Sequence, residues 1–216
     1  MRLMLSLILT LVAGPVFAQA QQAASPREIA SARAQADRLI QDAGAQAWFE
    51  NVTDSGLPAV RHRPSGMRCL FAGNASDRIV VFPTGHGGIP QGDDIGCVVR
   101  DEGLATDLTL YATRYRPLPS EAQVLQDAVS AIRQRVPDAR PYRGDVASAS
   151  TGDGDPPLQA AFEIMTPQGP MLTIALVQHV GEWGYKARIT GPQGDASGVS
   201  LYGTVMFAGA LLDIDD

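Results

Sequence analysis

The chain has 216 residues, 45% apolar and 19% charged, enough to bury one substantial core without a second domain, and this composition excludes a disordered or collagen-like chain. Lys and Arg total 17 against 23 Asp and Glu, a net charge of −6, the wrong sign for a protein that holds nucleic acid phosphates. Lys186 is the single lysine; the other 16 basic residues are arginines scattered along the chain, which reads as codon bias and not as a site.

Arg2, the apolar run from Leu3 to Val12 and the small-residue patterns Val16-Phe17-Ala18 and Ala18-Gln19-Ala20 describe a signal peptide over residues 1–20, leaving a mature chain that starts near Gln19 or Gln21. The run ends after about ten residues at Gly14-Pro15, too short for a hydrocarbon core that needs about 20. No cysteine follows it, which removes the lipoprotein alternative, and no later stretch is apolar enough to span a membrane. The expectation is a periplasmic or secreted protein. Loss of Arg2 leaves 16 basic against 23 acidic residues, a mature charge of −7. In an oxidising compartment the isolated pair Cys69 and Cys97 is expected to form a disulfide, closing a loop of about 28 residues and adding about 3.6 kcal/mol by chain entropy. There is no C-x-x-C and no histidine at ligand spacing, so neither a redox nor a zinc pair is called for.

The mature part, residues 21–216, reads as one α+β domain. Ser25-Pro26-Arg27-Glu28 is a capping box with Pro at the first helical position, opening a helix over about residues 26–43 with the stripe Ile29, Ala32, Ala36, Leu39, Ile40 and Ala43. From Ala59 to Tyr115 the pattern shortens to β-rich runs at Met67 to Phe71, Arg78 to Phe82, Ile95 to Arg100 and Asp107 to Tyr115, an antiparallel meander with a hairpin turn at Asp101-Glu102-Gly103. Ser120 caps a second helix ending before Pro137, in which Leu125, Ala128, Val129, Ile132 and Val136 share one face. Arg140 to Val146 reads as an edge strand and Ala147 to Pro157 as a loop. Strands resume at Leu158 to Thr166, Met171 to Val180 and Trp183 to Thr190. Asp195 or Ser197 opens a helix over about residues 199–212, although its Val, Tyr and Phe content leaves a strand open. The expected architecture is a single antiparallel sheet covered by helices, with an N-terminal helix outside a core of about residues 59–212.

The step from Tyr111 through Tyr115 into Leu118-Pro119-Ser120-Glu121-Ala122 and the helix, set in this element order, resembles the Mog1/PsbP-like fold over about residues 59–212. The N-terminal helix and the cysteine pair depart from that pattern, so the resemblance carries over no functional residue. Its wider group holds binding and accessory proteins more than enzymes, which favours a non-catalytic role.

His86, in Pro83-Thr84-Gly85-His86-Gly87-Gly88 and followed by Asp93-Asp94, is the candidate for an exported hydrolase or metal-dependent enzyme, but its spacing fits no zinc or calcium signature. Asp153-Gly154-Asp155 lacks the later ligands of a calcium loop. His62 and His179 have no neighbours that complete a nucleophile and base set, and Ser65-Gly66 and Ser197-Gly198 form no G-x-S-x-G elbow. No cofactor and no metal site are called for.

In the last strand, alternation sends Trp183, Tyr185, Ala187 and Ile189 to one face and Gly184, Lys186, Arg188 and Thr190 to the other; Thr109, Tyr111, Thr113 and Tyr115 share a face in the same way. If the two polar faces coincide, Lys186, Arg188, Tyr111 and Tyr115 form an aromatic and cationic surface suited to a small anionic ligand or a peptide of an envelope protein. The reading is a non-catalytic periplasmic binding or envelope-accessory module, with the His86 enzyme as the alternative.

Overall fold

Ser25 closes the first helix as its sequence requires: the Ser25 side chain accepts from the Glu28 N–H, and the Glu28 carboxylate accepts from the Ser25 N–H at 2.7 Å. The helix α1 runs Pro26–Asp42 and buries Ala32, Ala36 and Ile40 along the inner edge of the expected stripe. In the computed structural model the described residues are 23–84, 88–150 and 155–214; the segment read as a signal peptide lies outside them.

The strands divide into two antiparallel sheets, which corrects the expectation of one. A small sheet has the order β1 (Phe49–Asn51), β2 (Ala59–His62), β3 (Arg68–Leu70). The large sheet runs β4-β5-β6-β10-β9-β8-β7, with β4 Arg78–Val81, β5 Asp94–Asp101, β6 Thr106–Arg114, β7 Arg140–Pro141, β8 Leu158–Thr166, β9 Gly169–Val180 and β10 Trp183–Pro192. β1 and β2 have three and four residues, too few to show alternation, and β3 pairs with β2 and not with β4. The edge strand expected over 140–146 shrinks to the two residues of β7. The Cys69–Cys97 disulfide is formed, with Cα atoms 6.3 Å apart, and ties β3 of the small sheet to β5 of the large one.

The main core lies between one face of the large sheet and a layer made of α1, the small sheet and α3. Leu108, Leu110, Ile174, Leu176, Tyr185 and Ile189 meet Phe49, Val60, Met67 and Cys69 there, together with Ile40 of α1 and Val199, Phe207 and Leu211 of α3 (Ala196–Leu211). The C-terminal segment is thus a helix. Asp195 caps it by accepting from the Gly198 N–H, and Gly203 lies so close to Ile189 that a Cβ there would overlap its side chain. The opposite face of the sheet is covered only in part. α2 (Glu121–Arg135), capped by Ser120, lays Val129 and Ile132 on Phe162, Ile164 and Ala175 of β8 and β9. Leu125, expected in the core, is half-buried at the margin of this cluster, while Val124 is buried. Among the described residues no helix is long and apolar enough to cross a membrane.

Candidate functional site

The register between β6 and β10 sets Tyr111 opposite Lys186, Thr109 opposite Arg188 and Thr113 opposite Gly184, so the two polar rows do share one face. It is the face that carries α2. Because α2 lies over β8 and β9, the edge of the helix stands beside this surface and turns the expected sheet side into a groove. Ala128, Ala131, Ile132 and Arg135 of α2 form one wall, Phe82 and Tyr111 form the other, and Ala175, Lys186 and Arg188 form the floor of a cavity of about 200 Å³. That volume is below the ~300 Å³ at which drug-sized ligand pockets begin, so the groove suits a small molecule or one end of a larger one.

Lys186 is half-buried and its Nζ stands 4.6 Å from the centroid of the Tyr111 ring, a cation–π contact; the Phe82 and Tyr111 rings stack with centroids 6.2 Å apart and planes 20° from parallel. Burial is the chief cause holding the Lys186 amine below its ordinary pKa; Asp94 pulls upward, Arg135 downward and Asp127 upward. Asp94, an acidic group of the sheet that acts on Lys186, accepts from the Thr113 hydroxyl at 2.8 Å.

The described ion pairs take up Arg61, Arg63, Arg68, Arg100, Arg114 and Arg116. None of the three cations of the groove, Arg135, Lys186 and Arg188, belongs to one of them. Arg135 is the like charge that acts on Lys186, so these two cations repel each other. An anion placed between them turns that repulsion into attraction.

Tyr115 lies on the same face but does not line this cavity. Its ring lies over Gly184, where a Cβ would stand 2.7 Å from Tyr115 Cε2 and 3.2 Å from His179 Nε2, and it borders a separate surface depression with Arg114, Arg116, Leu118 and Glu182. Burial raises the Tyr115 phenol above its ordinary pKa, and burial lowers that of His179 against the pull of Glu121. The Glu121 carboxylate accepts from the His179 backbone N–H at 2.7 Å, which fixes the end of β9.

His86 lies outside the described residues. Of the acids assigned to its loop, Asp93 faces Arg116 at 3.7 Å and Asp94 binds Thr113. Asp153 also lies outside them. Among the described residues no group of three or more His, Cys, Asp or Glu side chains is arranged to hold a metal ion.

One pairing escaped the sequence reading. His62 Nδ1 is 2.8 Å from Ser65 Oγ across the β2–β3 turn, which looks like a base beside a nucleophile. Both are buried, at 0% and 4% exposure, and Ser65 Oγ also accepts from the Met67 N–H at 3.2 Å. A hydroxyl has one donor and two acceptor sites, so Oγ can either donate to Nδ1 or accept from it, according to the tautomer of the ring. Burial pushes the His62 pKa down to about 4, with a weaker backbone hydrogen bond at Gly92 opposing, and among the described residues no carboxylate orients the ring. Such a histidine is a poor base near neutral pH. The pair closes the turn, and the Tyr185 hydroxyl donates to the Ser65 carbonyl at 2.6 Å to anchor that turn on the large sheet. A serine three residues after a histidine at a strand end was the only available signal.

No known family model matches this chain, and no curated protein matches it. Among solved structures the chain is similar to the crystal structure of LpqN, described as involved in cell envelope biogenesis of Mycobacterium tuberculosis, at 14% sequence identity over 64% of this chain and 85% of that one, with a TM-score of 0.33. A likeness at this level carries no inference about function.

Proposed function

We propose that this protein is a non-catalytic binding module of the periplasm or cell surface, and that the groove between α2 and the β6–β10 face takes a small organic anion. The observation that carries the reading is the group Arg135, Lys186 and Arg188: three cations without ion-pair partners among the described residues, set around an apolar cavity in a chain of net charge −6. The disulfide supports an exported location, because such bonds persist in oxidising compartments. The resemblance in element order to the Mog1/PsbP-like fold supports an accessory role over a catalytic one.

Calorimetric titration of the purified mature protein with benzoate and phenyl phosphate, at low and at physiological salt, tests the reading. Binding that weakens at least about tenfold in the K186Q/R188Q double variant and falls with added salt is the expected result. Equal binding by wild type and variant, or no binding of either anion, overturns it.

A further inference from the structure

Sixteen of the seventeen basic residues are arginines, and the one lysine of the chain lies in the groove. If position 186 had only to supply positive charge, arginine would serve there as it does everywhere else. What a primary amine adds is a lone pair: a guanidinium keeps its proton at any accessible pH, whereas an ammonium in a poorly hydrated site can lose it and become a nucleophile. We infer that Lys186 is a covalent capture site, whose amine condenses with a small anionic aldehyde or 2-oxo acid held in the groove. The inference rests on the reading of the groove as an anion site and deepens it by naming the ligand class.

The geometry carries this in three ways. Among the described residues Lys186 belongs to no ion pair; its Nζ stands 4.6 Å from the Tyr111 ring, which holds an ammonium less strongly than a carboxylate would. The groups that act on it come from three elements: Asp94 of β5, which pulls towards the charged form, and Asp127 and Arg135 of α2, which pull in opposite directions, while burial favours the neutral amine and exceeds them. Arg188 and Arg135 share the cavity with it and, belonging to no ion pair among the described residues, can hold the carboxylate of a 2-oxo acid, which places the adjoining carbonyl carbon beside the amine. The step balances without an oxidant or reductant. The nitrogen lone pair forms a bond to the carbonyl carbon as the C=O π bond opens, one N–H proton passes to the oxygen to give the carbinolamine, and the hydroxyl then leaves as water with the second N–H proton, leaving an imine that hydrolyses by the reverse path.

A single lysine makes the test direct, because the mature chain has only one other amine, its α-amino group. The full mature protein is incubated at pH 7 with pyruvate or glyoxylate in the presence of cyanoborohydride, and the adduct is located by intact mass and peptide mapping. N-acetyl-lysine in the same solution is the reference, and lactate, the hydroxy analogue that forms no imine, is titrated separately by calorimetry. The expected result is a single adduct on Lys186, formed at least about tenfold faster than on N-acetyl-lysine and lost in K186R. Lactate binding with Lys186 reacting no faster than the reference overturns covalent capture and leaves the anion groove standing. An adduct confined to the α-amino group also overturns it. Failure of pyruvate, glyoxylate and lactate alike to bind or react overturns the inference and the groove reading together.

Discussion

Acid sensitivity should arise largely at His62, away from the groove. The ring has no solvent exposure, stands 5.0 Å from the Phe49 ring and 5.5 Å from the Trp183 ring, and has its Nδ1 2.8 Å from Ser65 Oγ. Its pKa of about 4 in the folded chain compares with 6.5 for a free histidine. Between those values the unfolded chain binds a proton that the folded chain refuses, so stability falls as pH drops through 6.5 and levels out below about 4. At about 1.36 kcal/mol per unit the full loss is about 3 kcal/mol, of which about 2 kcal/mol appears between pH 7 and pH 4.5. Urea unfolding of wild type and His62→Asn at those two pH values isolates the contribution. The variant keeps a hydrogen-bonding group near Nδ1, starts less stable because the ring is lost, and should show a pH dependence smaller than that of wild type by about 2 kcal/mol. An equal loss in both proteins, or a His62 ring proton that titrates near 6.5 by NMR, would refute the reasoning.

Ile132→Ala, which opens a cavity under α2, should cost about 2–5 kcal/mol in denaturant unfolding, whereas Gln126→Ala on the outer face should stay within about 0.5 kcal/mol; equal effects would contradict the burial of that face. Gly203→Ala should destabilise by about 1–3 kcal/mol despite the better helix propensity of alanine, because its Cβ meets Ile189, and a stabilised variant would show that α3 can move off β10. Intact mass of exported protein should start near Gln19 or Gln21 and lie two hydrogens below the reduced value, with reduction lowering stability by about 3–4 kcal/mol; two thiols that alkylate without reductant would contradict the Cys69–Cys97 bond.

What could be read from the chain alone was whatever local chemistry decides. Ser25 with Glu28, and Ser120 ahead of the Leu125 to Val136 stripe, mark helix starts because a cap is satisfied within four residues. The long strands β5, β6, β8, β9 and β10 show themselves because eight or more residues are enough for alternation or an apolar run to emerge. The paired cysteines, the alternation of Lys186 and Arg188 against Tyr185 and Ala187, and the single lysine are likewise plain in the text.

The second sheet was not legible, since Phe49–Asn51 and Ala59–His62 are strands only because each finds a partner and a core beneath it. Nor was the groove. Lys186 and Arg188 were placed on one face by period two, but whether that face is open, buried or walled depends on where α2 comes to rest, and that is set by the match of Val129 and Ile132 to Phe162, Ile164 and Ala175. Tyr115 stays on that face, over Gly184, but borders a different depression, which the period of β6 alone could not show. Periodicity says which side of an element a residue occupies; only packing between elements distant in sequence says what stands opposite it.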